Sequence, residues 1–494
     1  MNLIELHEIL ELIRNLCVRK AKGYDEIPPK ILKWAPELIA PILLVIFNKC
    51  LDLGYYPKSM KIGQVAPVFK EGEHNVNDNY RPITVLTQFN ELFEHFLTKR
   101  FLDFFEKYEI ITKKQFGFLK KHSTEHAILD LKEYIMNNLD KKDITAVLFL
   151  DLQKAFDSVN HDILLKKLYH YGIRGNAFSL LSSYLSGRQQ CTKVKNILSN
   201  LAFVLWGVPQ GSVLGPLLFL IFINDLPNAS SLCSWLFADD TALAMSSDNI
   251  QDLQARFNNE VSKVHDWLLA NRLSVHYTKK TKFMLIQGPN TKDRKSLSLD
   301  FELLMGEHKI ERTNCYKYLG LWVDENLNWN HQISILSSKL SSVCGILSKV
   351  RHYLDRNSLL LIYHSLFDSR LRYGILGWGT ASNQRLAKLR VLQNRAVRFI
   401  TFSSFRSSAA PLYASLKILP LDEQVFLQKS IFSTAFIIKI CLLCLVTTAN
   451  NQTTSTTQDM LQQKTMSYPV PQQIVVNAQL NLPGRRHGQK CLRN

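Results

Sequence analysis

The sequence predicts an α+β chain: a sheet built from apolar, β-branched strands, followed by a long helical region. Three observations carry this. ITAVLFLDL (144–152) is a continuous β-branched apolar run, the pattern of a buried strand. SWLFADDTALAM (234–245) reads as strand, tight turn, strand. From 330 to 430 the chain has helical character.

The elements follow in order. Residues 1–55 predict two or three helices. MNLIELHEILELIRN is amphipathic and contains acids, so no signal peptide is expected. ELIAPILLVIFNKCLDLGY has helical apolar spacing and ends on Gly54. In IGQVAPVFKEGEHNVNDNYRPITVL (62–86), two short apolar stretches flank a polar loop, which predicts a hairpin. Helices are expected at 88–107 and 123–139. After the 144–152 strand, SVNHDILLKKLYHY starts a helix with Ser158 as its N-cap. LAFVLWGVPQGSVLGPLLFLIFINDL runs from strand through a Gly/Pro turn into a helix. A helix at 249–270 and strands at 282–287 and 316–324 complete the layer. Beyond 450 the chain is Gln/Thr-rich, and disorder is expected there.

Composition narrows the function classes. Of 494 residues, 46% are hydrophobic and 21% charged, so the chain is globular, with about two to four domains or subdomains. Sixty Lys and Arg against 42 Asp and Glu give +18, which fits a polyanion partner or a solvated basic surface. Nine Cys lack metal-ligand spacing, and the one C-x-x-C, Cys441 and Cys444, lies inside KICLLCLV. A reduced, intracellular protein without a disulfide framework is expected. The apolar run at 430–448 is long enough for a bilayer but carries Lys439 near its middle, so a buried helix is expected and no membrane partner.

Asp239 and Asp240 are adjacent between two apolar runs, and Asp151 ends the preceding strand. Burial and mutual repulsion make such carboxylates costly to keep charged. They become stable if they share divalent cations, and two Mg²⁺ about 4 Å apart are the arrangement used for phosphoryl transfer. A surface turn with two acids is the plain alternative for that pair alone.

The surrounding motifs decide between these. FLDLQKAFDSVNH, GVPQGSVLGPLLFLIFINDLP and FADDTA, in this order and spacing, resemble the palm of reverse transcriptases, with a closer similarity to the non-LTR (LINE-type, jockey-like) retrotransposon branch. KAKGYDEIPPKIL, APVFKEGEHNVNDNYRPITVL, QFGFLKKHSTEHAIL, YKYLGLWVDENLNWNHQI, LRYGILGWG and LQNRAVRFI agree, so the resemblance spans about residues 15–425. It implies a right-hand polymerase: fingers 1–143, an antiparallel palm sheet in 144–325, a helical thumb 326–430 and a degenerate tail 431–494. It implies an RNA-directed DNA polymerase using an RNA template, a DNA primer and dNTPs, with two Mg²⁺ or Mn²⁺ held by Asp151, Asp239 and Asp240. Lys70 and Arg81 would hold the triphosphate. Phe156 would lie under the sugar and exclude a 2′-OH, and Gln210 would contact the nucleotide from a turn shaped by Gly207, Pro209 and Gly211. Tyr318, Leu319 and Gly320 match the primer-grip hairpin. In QRLAKLRVLQNRAVRFI, Leu389, Leu392, Ala396, Phe399 and Ile400 form an apolar stripe edged by Lys388, Arg395 and Arg398. Those cations either track a phosphate backbone or are solvated. The implied location is nuclear and cytoplasmic, as a ribonucleoprotein.

The sequence departs from the family pattern in places. Met60 stands before Lys61 where Trp is usual. His276 replaces an Asn, and Lys279-Lys280 reads as a one-residue insertion that would flip the next strand or require a bulge. The endonuclease domain that usually precedes the polymerase is expected to be absent. These departures keep a second reading open, a remnant that binds nucleic acid without polymerising. An RNA-dependent RNA polymerase would carry a second Asp where Phe156 stands.

Overall fold

A computed structural model describes residues 2–195, 197–278, 280–288 and 301–434. Residues up to Leu421 form one compact unit. The described part of the second unit, 422–434, is helical, and the C-x-x-C and the Gln/Thr-rich tail lie outside the described residues.

Three helices open the chain: α1 (Leu6–Asn15), α2 (Pro29–Trp34) and α3 (Pro36–Leu53). α3 starts with Pro at its first position and ends on Gly54 at φ 60°, with Tyr55 N–H returning to the Cys50 carbonyl, a left-handed C-terminal cap. Strands β1 (Ile62–Phe69) and β2 (Tyr80–Val85) form the expected hairpin. α4 (Gln88–Lys107) and α5 (Thr124–Asp140) are capped by the Thr87 and Ser123 hydroxyls.

β3 (Ile144–Leu150) is buried along its whole length. Helices α6 (His161–His170) and α7 (Gly175–Leu185) follow. The cap of α6 is Asn160, not Ser158: Asn160 Oδ1 accepts from Ile163 N–H, while the Ser158 hydroxyl donates to the Gln153 and Lys154 carbonyls. Next come β4 (Gln189–Val194), β5 (Ile197–Leu198), β6 (Ala202–Phe203), and then α8 (Gly215–Ile223), which is apolar and buried on nearly every side. β7 (Cys233–Phe237), β8 (Asp240–Ser247), α9 (Ile250–Ala270), β9 (Lys282–Ile286), β10 (Leu303–Met305) and β11 (His308–Arg312) complete the middle of the chain.

The central sheet has strand order β10-β11-β9-β3-β8-β7, antiparallel except for β11 beside β9. β3 is therefore flanked on both edges and covered on both faces, which is why its sequence is continuously apolar rather than alternating. A separate sheet joins β2-β1-β4-β5, with β6 on β4. Its β1–β4 pairing is parallel, so β4 joins the 62–85 hairpin, with β5 and β6 paired to β4, and none of the three joins the central sheet.

The stretch 316–324 is not one strand but a hairpin of β12 (Cys315–Tyr318) and β13 (Leu321–Asp324). Leu319 at φ 45° and Gly320 at φ 84° supply the two consecutive left-handed residues of a tight hairpin turn. The extra lysine does not shift a strand either. Thr281 N–H closes back onto the His276 carbonyl, so the residue is absorbed in the loop, and β9 pairs with β3 without a bulge. Lys279 itself lies outside the described residues.

The remaining helices are α10 (Asn330–Val350), α11 (Arg356–Ile362), a π-helical turn Tyr363–Asp368, α12 (Ser369–Arg372), α13 (Ile375–Trp378), α14 (Asn383–Ile400) and α15 (Ala410–Leu416). Among the described residues α10 alone is long and apolar enough to cross a membrane. Its apolar residues Ile333, Leu336, Leu340, Val343 and Leu347 are buried, and Cys344 Sγ meets the Leu392 carbonyl of α14, which makes it a core helix.

Candidate active site

The hairpin tip between β7 and β8 is Ala238-Asp239, since Phe237 pairs with Asp240. Ala238 sits at φ 56°, a conformation that costs a residue with a Cβ about 1–2 kcal/mol. A brace holds it there. The buried Gln115 side-chain oxygen accepts from Ala238 N–H at 3.0 Å and from Gly117 N–H at 2.7 Å. The backbone of 114–116 bonds both N–H and C=O of Leu236. Gly117 is required here, because a Cβ on it would lie 2.6 Å from Ala238 N.

β3 and β8 pair with Leu150 opposite Thr241, so the next step of the ladder sets Asp151 opposite Asp240. Directly opposed residues share a face, with Cβ atoms about 4.5–5.5 Å apart. Asp151 is fixed through its backbone: its N–H donates to Thr281 Oγ1 and its carbonyl accepts from His276 N–H. Asp151 Oδ2 is shut off from solvent and accepts no hydrogen bond; Lys280 Nζ stands 3.4 Å away and His276 Nε2 3.8 Å.

The charges act on one another. Burial first, then the Asp151 charge, raises the Asp239 carboxyl, while Arg81 and Lys70 oppose the shift. Asp240 is open on its cleft side yet crowded by protein. Desolvation, then Asp239 and Asp151, push its carboxyl up to about 6 against Lys280 and Lys70. Burial, then Lys280 and Arg81, lower the Lys70 ammonium. Lys70 and Arg81, exposed at the loop end of the β1–β2 hairpin, thus lie within electrostatic reach of the acids. A Lys154–Asp78 ion pair of 2.8 Å joins that hairpin's loop to the chain after β3.

The donor set is three carboxylates, the hard oxygen ligands that Mg²⁺ takes. As they stand, no three His, Cys, Asp or Glu side chains among the described residues are gathered closely enough to hold a metal ion. The solvent-excluded Asp151 Oδ2 without a hydrogen bond and the raised carboxyls of Asp239 and Asp240 still fit a site whose negative charge the neighbouring Lys280, Lys70 and Arg81 offset only in part.

Phe156 is half-buried, its ring stacked on Phe219 at 4.7 Å and edge-on to Phe118. Its carbonyl accepts from Val208 N–H, and Gly207 N–H donates to Val159, so the turn at 207–211 is sewn to the chain after β3. Gly207, at φ 87°, has no room for a Cβ against Asp157. The half-buried Gln210 lies on this turn, its carbonyl accepting from Thr84 N–H of β2 at 2.7 Å.

The β12–β13 hairpin packs beneath the acids: Phe149 stacks on Tyr316 at 4.3 Å and lies 5.4 Å from Tyr318. Tyr318 and Leu319 are buried, leaving Gly320 as the exposed residue of the three expected to meet a primer. On α14, Leu389, Ala396 and Ile400 are buried as expected, but Leu392 and Phe399 are only half so, and Gln393 takes a core position. Lys388 and Arg395 are exposed. Arg398 is not a free edge cation, because its Nε donates to the Ser407 carbonyl.

Two residues at the site went unread in the sequence. Gln115 sits in QFGFLKKHSTEHAIL, and Gly117 two residues on was its only signal. Glu94 lies in FNELFEHFL, where an acid among Leu92, Phe93, Phe96 and Leu97 was the cue to a buried charge.

Residues 68–323 match the family model for reverse transcriptase (RNA-dependent DNA polymerase). The chain is 27% identical over 435 residues to the RNA-directed DNA polymerase from mobile element jockey of Drosophila funebris, covering 85% of this chain and 46% of that protein. It is 29% identical over 453 residues to the probable RNA-directed DNA polymerase from transposon BS of Drosophila melanogaster, covering 87% and 48%. A third relative, the probable RNA-directed DNA polymerase from transposon X-element of the same species, is 28% identical, covering 85% and 46%. The chain spans about half the length of these curated relatives. A match over more than half the chain, across the strands and turns that gather Lys70, Asp151, Gln210 and Asp239-Asp240, makes this chain a member of the reverse transcriptase family, akin to the polymerases of non-LTR retrotransposons.

Proposed function

We propose that the chain extends a primer 3′-OH with deoxynucleoside triphosphates on an RNA template, releasing pyrophosphate, with Mg²⁺ or Mn²⁺ as cofactor. The observation that carries this is the meeting of Asp151, Asp239 and Asp240 on one side of the central sheet, with Lys70 and Arg81 reaching them from another. In right-hand terms the first sheet and N-terminal helices serve as fingers, the central sheet as palm and α10–α14 as thumb. Strands β4–β6 belong with the fingers by hydrogen bonding, although they lie beyond residue 143.

Asp151, Asp239 and Asp240 would hold two metal ions. When bound, the ions lower the pKa of the attacking hydroxyl and neutralise charge on the leaving group. The chain's own groups do the rest. Lys70 and Arg81 bind the triphosphate as point charge and planar fork. The Phe156 ring, held by Phe219, closes the space beside the sugar C2′. Gln210 presents its amide to the nucleotide from a turn anchored to β2. Gly320 faces the primer, and Lys388 and Arg395 attract its backbone. The binding-only reading loses one argument, because the inserted lysine leaves β9 in register.

The test is primer extension by the purified chain on poly(rA)·oligo(dT) with dTTP and Mg²⁺ or Mn²⁺. Extension that needs the ion and vanishes in Asp240→Asn is expected. A folded chain that binds the duplex but extends nothing in either ion refutes polymerisation and leaves the binding-only reading. Preference for UTP over dTTP would assign an RNA polymerase.

A further inference from the structure

Glu94 is fully buried in the middle of α4, and four donors converge on its carboxylate. Oε2 accepts from Val213 N–H at 2.7 Å and Leu214 N–H at 3.1 Å. Oε1 accepts from Tyr184 O–H at 2.9 Å and Asn90 Nδ2 at 2.9 Å. Asn90 is locked in turn, since its Oδ1 accepts from the buried Tyr56 hydroxyl at 2.7 Å. Burial and the Glu94 charge both push the Tyr184 phenol well up, which keeps it a donor.

A buried charge on this scale needs full compensation, and here two peptide N–H dipoles at the start of α8 and two side-chain donors provide it. Val213 and Leu214 follow Gln210 by three and four residues. The same turn is tied at Gln210 O to Thr84 N–H, and a Cβ on Gly211 would stand 2.8 Å from the Thr84 carbonyl. Thr84 belongs to β2, the strand that carries Arg81. Moving the start of α8 therefore moves Gln210 and the β2 backbone together.

We propose that Glu94 is a positioning residue for the incoming nucleotide, holding the 207–214 turn so that Gln210 and Arg81 face the triphosphate in one fixed geometry. The proposal rests on the polymerase reading for its substrate. Its chemistry is specific to a carboxylate. Glutamine has one acceptor oxygen, so in either orientation its NH₂ turns toward donors. Asn90 cannot reverse its amide without losing Tyr56.

The test uses the full chain with Glu94→Gln and Tyr184→Phe, each assayed on poly(rA)·oligo(dT). Glu94→Gln should raise KM for dTTP by about tenfold, the size of one lost charge-assisted hydrogen bond. Duplex affinity should stay unchanged. Tyr184→Phe should shift KM the same way by up to about tenfold, one of the four charge-assisted hydrogen bonds removed. If Glu94→Gln does not fold, Tyr184→Phe decides. A lowered melting temperature with KM for dTTP unchanged would make Glu94 merely structural and overturn the proposal. If the parent chain extends no primer, the polymerase reading fails, and hydrogen exchange judges Glu94 separately. Faster exchange at 207–214 in Glu94→Gln, with β3 and β8 unchanged, is the expected result; equal exchange overturns the proposal.

Discussion

Replacing Gln115 by Leu keeps the volume of the brace under the acidic hairpin and removes its oxygen. That oxygen serves two buried N–H groups, Ala238 at 3.0 Å and Gly117 at 2.7 Å. A buried donor left without an acceptor costs about 1–3 kcal/mol, so the pair costs about 2–6 kcal/mol. The loss falls where the backbone is already held in a left-handed conformation, at Ala238 with φ 56°. Without its acceptor the tip has reason to relax, and Asp239 shifts with it. Urea denaturation of the metal-free protein should show the 2–6 kcal/mol loss, and primer extension should fall by more than about tenfold, since each 1.36 kcal/mol of lost transition-state stabilisation is a factor of ten. A Gln115→Leu protein within about 0.5 kcal/mol of the parent, the scatter of an ordinary surface substitution, and extending at the parent rate would refute the brace.

Four further outcomes follow from named contacts. Phe156→Val should admit ribonucleotides about 30- to 150-fold more readily, the equivalent of a relieved clash of about 2–3 kcal/mol, measured as the UTP/dTTP ratio of kcat/KM. Unchanged discrimination would end the steric role. Lys388→Ala with Arg395→Ala should make the plot of log K against log salt shallower by up to about two units, at about 0.7–0.9 per phosphate contact. Arg398→Ala should instead lower stability by about 1 kcal/mol through its lost bond to Ser407, leaving the slope unchanged. Burial pushes the Glu8 carboxyl up, but hydrogen bonds from Arg100, the Glu5 N–H and Lys99 more than offset it and hold Glu8 at about 2. A depressed carboxyl stabilises the fold above its unfolded pKa and loses that contribution as pH falls. Glu8→Gln should therefore cost about 1–3 kcal/mol near pH 7, and the gap to the parent should close between about pH 4.5 and 2 in denaturation titrations.

The elements legible in the sequence were those whose signal is local. β3 is apolar throughout because it is enclosed throughout, and the β7–β8 hairpin shows itself by two apolar runs around a two-residue tip. Non-local elements were not legible. QQCTKV at 189–194 is polar and half-exposed, and it is a strand only because β1, more than a hundred residues earlier, offers it a parallel edge. The cap of α6 moved from Ser158 to Asn160 because two carbonyls nearby compete for the serine hydroxyl. The acids themselves were visible as residue types. What joins them to Lys280 and Gln115 is tertiary, as is what joins Glu94 to the 213–214 backbone, and a carboxylate inside an apolar helix declares only that some partner must exist.

The parallel pairing of β1 with β4 also sets an order of events during synthesis. Ile62 cannot find Gln189 until the intervening chain has left the ribosome. At about 5–20 residues per second, β1 waits roughly 6–25 s with one edge of backbone donors and acceptors uncovered. During that interval its Ile62-Gly63-Gln64-Val65 edge, the part that β4 later covers, is a template for a neighbouring chain on the same message. Pro67 breaks the row of donors on that strand, and Lys61 and Lys70 bracket it with like charge. Co-expression with a holdase chaperone, or slower growth temperature, should thus raise soluble yield more than any stabilising change in the finished core.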